Sequence, residues 1–266
     1  AIMQEEKMHR STYRVLKIFE LLSATSEGMS LTGLAQKLEI PKGSLHPILK
    51  TMQAMNFIRM NDNGNYTIGQ AAYFAGSSYT KNSDLLQEID YVLKNLSSAV
   101  NQTAYFSVLS GGEVLYLLEE RVATPITIQA KRGYKYPAYA TGIGKALLSG
   151  KTEKDIKTLY PEGLYKLTEY TIDDFDTLFS QMEETQKSGY SFEKEESNKD
   201  LQCIAVPVKY KENVIAGMSV AVPVFYYSEE FEKKAMEELK KAKQHIEKLI
   251  QDNTQEWVYS PLGTET

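Results

Sequence analysis

The stretch that decides the fold of the N-terminal part is residues 30–55, SLTGLAQKLEIPKGSLHPILKTMQAM. Its apolar residues recur at helical spacing in two short runs, one over residues 31–38 and a second that ends at Met55. Ser30 is placed to cap the first helix, and residues 39–41 form a turn whose proline suits the start of the next one. Two helices that cross over a tight turn predict a helix-turn-helix, whose second helix enters the major groove of DNA.

The second helix carries polar side chains on the face opposite its apolar residues. These side chains can donate hydrogen bonds to phosphates or base edges, and we assign them as DNA contacts: Lys42, Ser44, His46 and Lys50. Pro47 lies in the same helix, where it removes a backbone donor and can introduce a kink.

A hydrophobic helix upstream and two strand-like runs downstream extend this motif. The runs cover residues 57–60 and 66–68, and a turn-rich tip at residues 61–65 joins them. Three helices followed by a hairpin predict a winged helix over residues 1–68, with Arg59 and Asn63 of the wing as further DNA contacts. A small helical domain that binds other proteins is the alternative interpretation of the same pattern.

Length, composition and charge limit the class of protein to which the chain can belong. The 266 residues predict about two domains, and no apolar run is long enough to span a membrane. One cysteine, Cys203, excludes an internal disulfide framework, and with no apolar leader it indicates a cytoplasmic protein. The net charge of −5 hides an excess of two positive charges in residues 1–68. So small an excess predicts weak DNA binding by one head, and hence a homodimer or tetramer.

The remaining residues predict an α+β body. We expect a linker helix over residues 69–83 and an effector-binding domain over residues 84–259. Within that domain the pattern predicts an antiparallel sheet flanked by helices. The predicted elements are a helix at 83–100 capped by Ser83, strands at 103–109, 114–120 and 127–130, a loop and helix at 133–148, helical signals over 153–189, strands at 202–209 and 214–222, and a closing helix at 228–251.

Three motifs in the body carry a resemblance to a known family. They are YATGIGKALL at residues 139–148, GYSFEKEE at residues 189–196 and LQCIAVPV at residues 201–208. With a winged helix before them, in this order and spacing, they resemble the IclR family of bacterial transcription regulators over nearly the whole chain. The resemblance implies an N-terminal winged helix-turn-helix and a C-terminal GAF-like domain that binds a small effector. It also implies a repressor or an activator, often assembled as a dimer of dimers.

The resemblance also implies a set of effector-binding positions, which differ in part from the family pattern. The positions fall on Ile128, Tyr136, Gly142, Ile143, Glu193, Cys203 and Ser219. A second hydroxyl of the family falls on Ala221, the family's aspartate on Glu193, and a position often held by histidine on Tyr139. A larger organic or aromatic acid therefore fits as well as a small 2-oxo acid. Pro47 stands where many members have arginine, so that arginine's operator contacts do not transfer.

The chemistry of these residues supports an effector site independently of the family resemblance. Gly142, Ile143 and Gly144 precede a helix, so backbone N–H groups and the helix dipole would face a carboxylate. Ser219 can donate a further hydrogen bond, and tyrosines in the same loop offer aromatic walls. A tight turn before a helix explains the glycines equally well, and a buried cysteine is most often a small apolar residue.

Enzyme interpretations find little in the sequence. Residues 142–145 lack the spacing of a phosphate-binding P-loop, so Lys145 is expected to be a structural or salt-bridged residue. The three histidines form no metal or Cys–His pattern, and we expect neither metal nor cofactor. The cluster at Glu193, Glu195 and Glu196 is expected to be a solvated charged turn. If the chain were an enzyme, catalysis would therefore rest on Cys203 alone. Besides a DNA-binding regulator and an enzyme, the third possibility is a sensor that docks on another protein.

Overall fold

A computed structural model describes residues 9–81, 84–122 and 136–253 of the chain. The chain divides into two units, Ala1–Asn82 and Ser83–Thr266. The fold is of the α+β class, with a winged helix-turn-helix in the first unit and a helix-flanked antiparallel sheet in the second. No described helix combines the length and the apolar character that a membrane crossing requires.

The N-terminal unit contains the predicted three helices and wing. The helices are α1 (Arg10–Ser23), α2 (Leu31–Lys37) and α3 (Lys42–Ala54), and the wing pairs β1 (Ile58–Met60) with β2 (Tyr66–Ile68) in antiparallel register. Ser30 caps α2 as predicted, because its hydroxyl accepts the Gly33 N–H at 3.1 Å. The apolar faces meet in one core, which includes Ile18, Leu22, Leu34, Leu45, Leu49, Met52, Ile58 and Tyr66.

Helix α3 is continuous through Pro47. It begins at Lys42, so Pro41 occupies the N-cap position and not the first helical position. Pro47 has no N–H, and the Gly43 carbonyl therefore lacks the donor that a helix normally supplies four residues later. Both residues lie on the exposed side of the helix, where solvent or a ligand can hydrogen-bond to that carbonyl.

The linker helix is part of the first unit. Helix α4 (Gln70–Lys81) begins against the wing, since the Gly69 N–H donates to the Phe57 carbonyl at 2.9 Å. A β-carbon on Gly69 would lie 2.3 Å from the carbonyl oxygen of Asn56, so only glycine permits this close approach. The predicted division at residue 68 therefore falls between two tightly packed segments, and the two units divide after Asn82.

The described residues of the C-terminal unit form a sheet of six strands: β3 (Thr103–Ser110), β4 (Glu113–Glu120), β5 (Tyr136–Pro137), β6 (Ser191–Lys194), β7 (Leu201–Tyr210) and β8 (Asn213–Pro223). Their order in the sheet is β5-β4-β3-β8-β7-β6, and all neighbouring pairs are antiparallel. One face packs on α5 (Asp84–Val100) and α9 (Glu229–Asp252), which run along the largest apolar core. The other face packs on α6 (Gly142–Leu148), α7 (Glu153–Leu159) and α8 (Phe175–Ser188).

Some predicted elements need correction. The segment predicted as helical over residues 153–189 contains two helices, α7 and α8, separated by turns. Gly189 ends α8 with φ of +81°, which confirms the predicted C-cap. Strand β6 was not predicted, because it is short and its polar alternation resembles a turn. The predicted strand at residues 127–130 and the Ser83 cap lie outside the described residues.

Candidate functional site

Strand register brings three predicted effector-binding positions together on one face of the sheet. Glu193 of β6 pairs with Cys203 of β7, and Cys203 pairs with Ala221 of β8. Ser219 lies two residues before Ala221 on the same face and pairs with Tyr105 of β3. Because side chains alternate along a strand, all of these face α6 and not α5 or α9.

The start of α6 lies directly above this row. Thr141 caps the helix by accepting the Gly144 N–H at 3.0 Å, whereas the helix itself offers no carbonyl to the N–H groups of Gly142 and Ile143. A β-carbon on Gly142 would lie 3.2 Å from Cys203 Cβ and 3.3 Å from Glu193 Cβ. Glycine therefore allows the first-turn amides to approach the sheet closely.

A cavity of about 20 Å³ lies between α6 and the sheet, and we call it the α6 pocket. Five predicted residues line it: Tyr136, Gly142, Ile143, Cys203 and Ser219. Its wall also includes residues that the sequence analysis did not single out for the site: Tyr105, Tyr116, Thr141, Ser197, Asn198 and Leu201. Strand alternation could have placed Tyr105 there, but only once its partner strand was known. Ile128 lies outside the described residues.

Glu193 borders the α6 pocket without forming its wall. Its Oε1 accepts from the N–H groups of Glu196, at 2.8 Å, and Ser197, at 3.0 Å. Its Oε2 is buried, with no hydrogen-bond partner among the described residues. Burial raises the pKa of Glu193 to about 7, although the hydrogen bond from the Ser197 amide opposes the rise. The carboxyl group can therefore hold a proton near neutral pH.

The acidic cluster is not the solvated turn that the sequence predicted. Glu193 and Glu196 are 1% and 7% exposed, and only Glu195 of the three is partly accessible. Glu196 forms a buried ion pair with the fully buried Lys145 of α6, at 2.7 Å, and Lys145 also donates to Gln181 of α8 at 2.8 Å. The expectation of a salt-bridged Lys145 is confirmed, and this pair ties α6 to the turn after β6.

Cys203 is a poor candidate for a nucleophile. Its side chain is buried, and burial together with the neighbouring Glu193 raises the pKa of the thiol well above its usual range. A nucleophilic cysteine needs the opposite, a lowered pKa and access to substrate. Among the described residues, no group of three or more histidine, cysteine, aspartate or glutamate side chains is placed to hold a metal ion.

The raised pKa of Glu193 gives a first prediction, a pH dependence of stability. Its pKa is about 7 in the folded chain against 4.5 in the unfolded one, so folding favours the neutral form. The stabilisation is complete below pH 4.5 and is lost as pH rises through 7. Relative to Glu193→Gln, the wild type should lose up to about 3 kcal/mol between pH 4.5 and 8 by urea unfolding. Exposed Glu184→Gln is the control and should follow the wild type; parallel curves for wild type and Glu193→Gln would contradict the prediction.

The predicted DNA-binding residues are all accessible in the N-terminal unit. Lys42, Ser44, His46 and Lys50 of α3 are all exposed, whereas Leu45 and Leu49 of the same helix are buried. Arg59 and Asn63 are exposed in the wing. The wing tip is held by Asn61, whose Oδ1 accepts the N–H groups of Asn63, at 3.1 Å, and Asn65, at 2.9 Å. An exposed second helix followed by an ordered wing tip is what a helix-turn-helix of this type offers to duplex DNA.

Comparisons with known proteins find matches for both the N-terminal and the C-terminal part of the chain. Residues 11–62 match the model of the IclR helix-turn-helix domain, and residues 77–248 match that of the bacterial transcriptional regulator IclR C-terminal domain. The transcriptional repressor IclR of Escherichia coli is 31% identical over 81% of this chain and 80% of its own length. The regulator KdgR of the same organism is 28% identical over 85% of this chain and 88% of its own.

Solved structures share the fold at lower identity. An IclR regulator from Alicyclobacillus acidocaldarius matches with a TM-score of 0.81 and 20% identity, over 91% of this chain and 99% of its own. An IclR homolog from Microbacterium hydrocarbonoxydans, solved in complex with 4-hydroxybenzoate, matches with a TM-score of 0.75 and 17% identity, over 91% of this chain and all of its own.

Proposed function

The chain belongs to the IclR family of bacterial transcription regulators, and from that premise we propose that it is a repressor released from or held on its operator by a carboxylic acid bound in the α6 pocket. Members of the family are DNA-binding regulators with a C-terminal effector domain, and they are not enzymes. Repression, the acid and the residues that hold it are our proposal.

The observation that carries the proposal is the pairing of first-turn amides with a buried carboxyl group. The N–H groups of Gly142 and Ile143 can donate to a ligand carboxylate, and Ser219 on the same wall can add a hydroxyl. An ionised Glu193 would repel such an anion. A neutral one does not repel the anion, and its pKa of about 7 makes that form accessible.

The walls of the pocket favour an aromatic acid. Three tyrosines line it, Tyr105, Tyr116 and Tyr136, and the missing hydroxyl at Ala221 leaves that side apolar. The structural neighbour from Microbacterium hydrocarbonoxydans holds 4-hydroxybenzoate, which supports the same class of ligand here. The pocket of about 20 Å³ has room for little more than one water, so a wall must move. The hydrogen bond at 3.2 Å between Asn198 and Tyr136 is the contact we expect to open.

We also propose that the chain acts as a homodimer or tetramer. One recognition helix per chain and a small positive excess in the head make a single head a weak binder. Helix α4 supports association because two of its aromatic side chains, Tyr73 and Phe74, are 67% and 55% exposed. Half-sites in the operator should then be related by approximate two-fold symmetry. Light scattering that finds a monomer both alone and on DNA would contradict this.

Operator binding is tested by a substitution in the recognition helix. We expect Lys50→Ala to weaken binding to all duplex sequences alike and to reduce the salt slope of binding by about one, because Lys50 contacts phosphate. Fluorescence anisotropy with labelled promoter fragments, titrated at several salt concentrations, measures both quantities. Exposed Lys154 of α7 provides the control, since Lys154→Ala should leave them unchanged. A folded Lys50→Ala variant with unaltered affinity and slope would place this residue away from DNA.

Effector binding is tested by measuring the melting temperature of the purified protein with each member of a panel of 2-oxo acids and aromatic acids, which includes 4-hydroxybenzoate. We expect an aromatic acid to raise the melting temperature and to change operator affinity. Recovery of that acid unchanged after incubation supports a regulator. Recovery of a chemically altered product would support the enzyme interpretation in its place.

A further inference from the structure

The exposed face of helix α3 brings its backbone close to the surface near the start of the helix. Leu45, Leu49 and Met52 define the buried side of α3. Successive residues of an α-helix are rotated by about 100°, so Gly43 and Pro47 lie on the side directly opposite. Both residues are exposed, and neither has a long side chain. At this end of α3, the surface furthest from the core therefore consists of backbone atoms and the proline ring.

The peptide of Gly43 is open to a partner molecule. Apart from its own stretch of helix, a β-carbon built on Gly43 would meet no atom of the described residues within 4 Å. Gly43 is the second residue of α3, and the first residues of a recognition helix are those that contact base edges in the major groove. Because glycine has no side chain to hold the backbone away, this peptide can approach a base edge directly.

Pro47 leaves the carbonyl group of Gly43 without its helical partner. In a regular α-helix this carbonyl would accept the N–H of residue 47, and proline has no N–H. In free solution water can take the place of that donor. In a groove from which water is displaced, an acceptor without a donor costs free energy. The carbonyl therefore favours DNA sequences that offer a donor at this point.

Donors on base edges distinguish the four bases in the major groove. Adenine presents the amino group at N6 and cytosine the amino group at N4, whereas guanine and thymine present acceptor oxygens. A carbonyl oxygen accepts and cannot donate, so it separates adenine and cytosine from guanine and thymine. The side chains of Lys42 and Lys50 cannot make this selection, because an ammonium group only donates.

We propose that the Gly43 carbonyl reads one base of each operator half-site by accepting a hydrogen bond from the exocyclic amino group of adenine or cytosine. Pro47 determines this specificity, because it keeps the carbonyl unpaired within the helix. The inference rests on the proposed binding of operator DNA by α3 and adds one base-specific contact to it.

The substitution Pro47→Ala tests this contact, because alanine restores the missing N–H and keeps the side chain small. A consensus duplex is first selected from a random pool with the wild-type chain. Fluorescence anisotropy then gives the affinity of both proteins for every single base-pair variant of that duplex. We expect the wild type to favour adenine or cytosine over guanine and thymine at one position by about three- to tenfold, the scale of one neutral hydrogen bond. In Pro47→Ala this preference should fall below about twofold, whereas preferences at the other positions should remain.

Base analogues test the same contact at the level of one amino group. Purine lacks the amino group of adenine, and 2-pyrimidinone lacks that of cytosine, so each replaces its parent base at the position identified. We expect the replacement to weaken binding by the wild type about three- to tenfold and binding by Pro47→Ala less than about twofold. Because both proteins bind the same modified duplex, any change in the duplex itself cancels in the comparison.

Three results would overturn the proposal. The wild type could bind the analogue duplex as tightly as the parent duplex, a measurement that needs no variant. Pro47→Ala, shown to be folded by circular dichroism, could keep every base preference of the wild type. It could instead lose a preference for thymine, which would assign the contact to the proline ring and the thymine methyl group, or lose preferences at several positions, which would indicate a change in the path of α3.

Failure of the proposed operator binding has a different signature. If α3 does not bind DNA, Lys50→Ala and Pro47→Ala will both leave the affinity for every duplex unchanged. If α3 binds DNA but Gly43 reads no base, Lys50→Ala will still weaken binding to all sequences alike, and only the base preference predicted for Pro47 will be missing.

Discussion

Lys145→Met is expected to lower the free energy of unfolding of the C-terminal unit by about 3–5 kcal/mol at pH 8. Lys145 is fully buried, and its ammonium group forms an ion pair with Glu196 at 2.7 Å. Methionine keeps the length of the side chain and its packing but leaves the Glu196 carboxylate buried without a cation. A buried unpaired charge is among the most costly defects in a folded protein.

Two further measurements separate this charge effect from a packing effect. The double variant Lys145→Met/Glu196→Gln removes both charges, and we expect it to recover at least half of the loss. The loss in Lys145→Met should also shrink as the pH falls, because burial raises the pKa of Glu196 and a protonated carboxyl group carries no unpaired charge. Urea unfolding followed by circular dichroism measures all of these, with exposed Lys154→Met as the control. The prediction would be contradicted if Lys145→Met lost less than about 1 kcal/mol of unfolding free energy. It would also be contradicted if the loss in the double variant equalled the sum of the losses in its two single variants.

The helix-turn-helix could be predicted from the sequence because its determinants are local. Apolar spacing, the Ser30 cap and the turn before Pro41 all lie within 26 residues, and each of them is found in the structure. The wing could be predicted for the same reason, since β1 and β2 are joined by a short tip. The predicted ends of these elements differ from the observed ends by one residue at most.

The α6 pocket could be predicted only in part, because its walls come from strands far apart in the sequence. The motif at residues 139–148 predicted the amides of Gly142 and Ile143 through the turn-to-helix pattern. Tyr105 and Tyr116 also line the pocket, because the pairing of β3 with β4 and β8 places them there. A local sequence pattern does not indicate which strands pair. Tyr139 belongs to the loop whose tyrosines were expected as aromatic walls, but its side chain is fully buried and its hydroxyl group hydrogen-bonds to the backbone of Tyr165.

The prediction of a solvated turn at the acidic motif is wrong for a related reason. Charges at residues 193, 195 and 196 are normally solvated, and a local pattern gives no sign of a buried cation. Lys145 lies 51 residues before Glu196 in the sequence and supplies that cation from another element. The pair shows why burial of charge is a property of the tertiary fold, and why its consequences for pKa could not be predicted from the motif alone.

The second large effect is expected for Gly142→Val, which should weaken effector binding at least a hundredfold. This corresponds to about 2.7 kcal/mol, the scale of one or two hydrogen bonds to a charged ligand. A β-carbon at this position already lies 3.2 Å from Cys203 Cβ and 3.3 Å from Glu193 Cβ. The branched methyl groups of valine would project towards the α6 pocket and hold a ligand carboxylate away from the amides of residues 142 and 143.

The acid that raises the wild-type melting temperature most in the panel above is the ligand for this test. Isothermal titration gives its affinity for wild type, Gly142→Val and the control Ile143→Val, which keeps both amides and should stay within a few-fold of wild type. Operator affinity without ligand should be the same in all three, since α3 and the wing belong to the other unit. A melting temperature of the free Gly142→Val variant close to wild type excludes unfolding as the cause. If that variant responds to the acid as wild type does, the acid binds elsewhere, and the amides of α6 are a structural turn only.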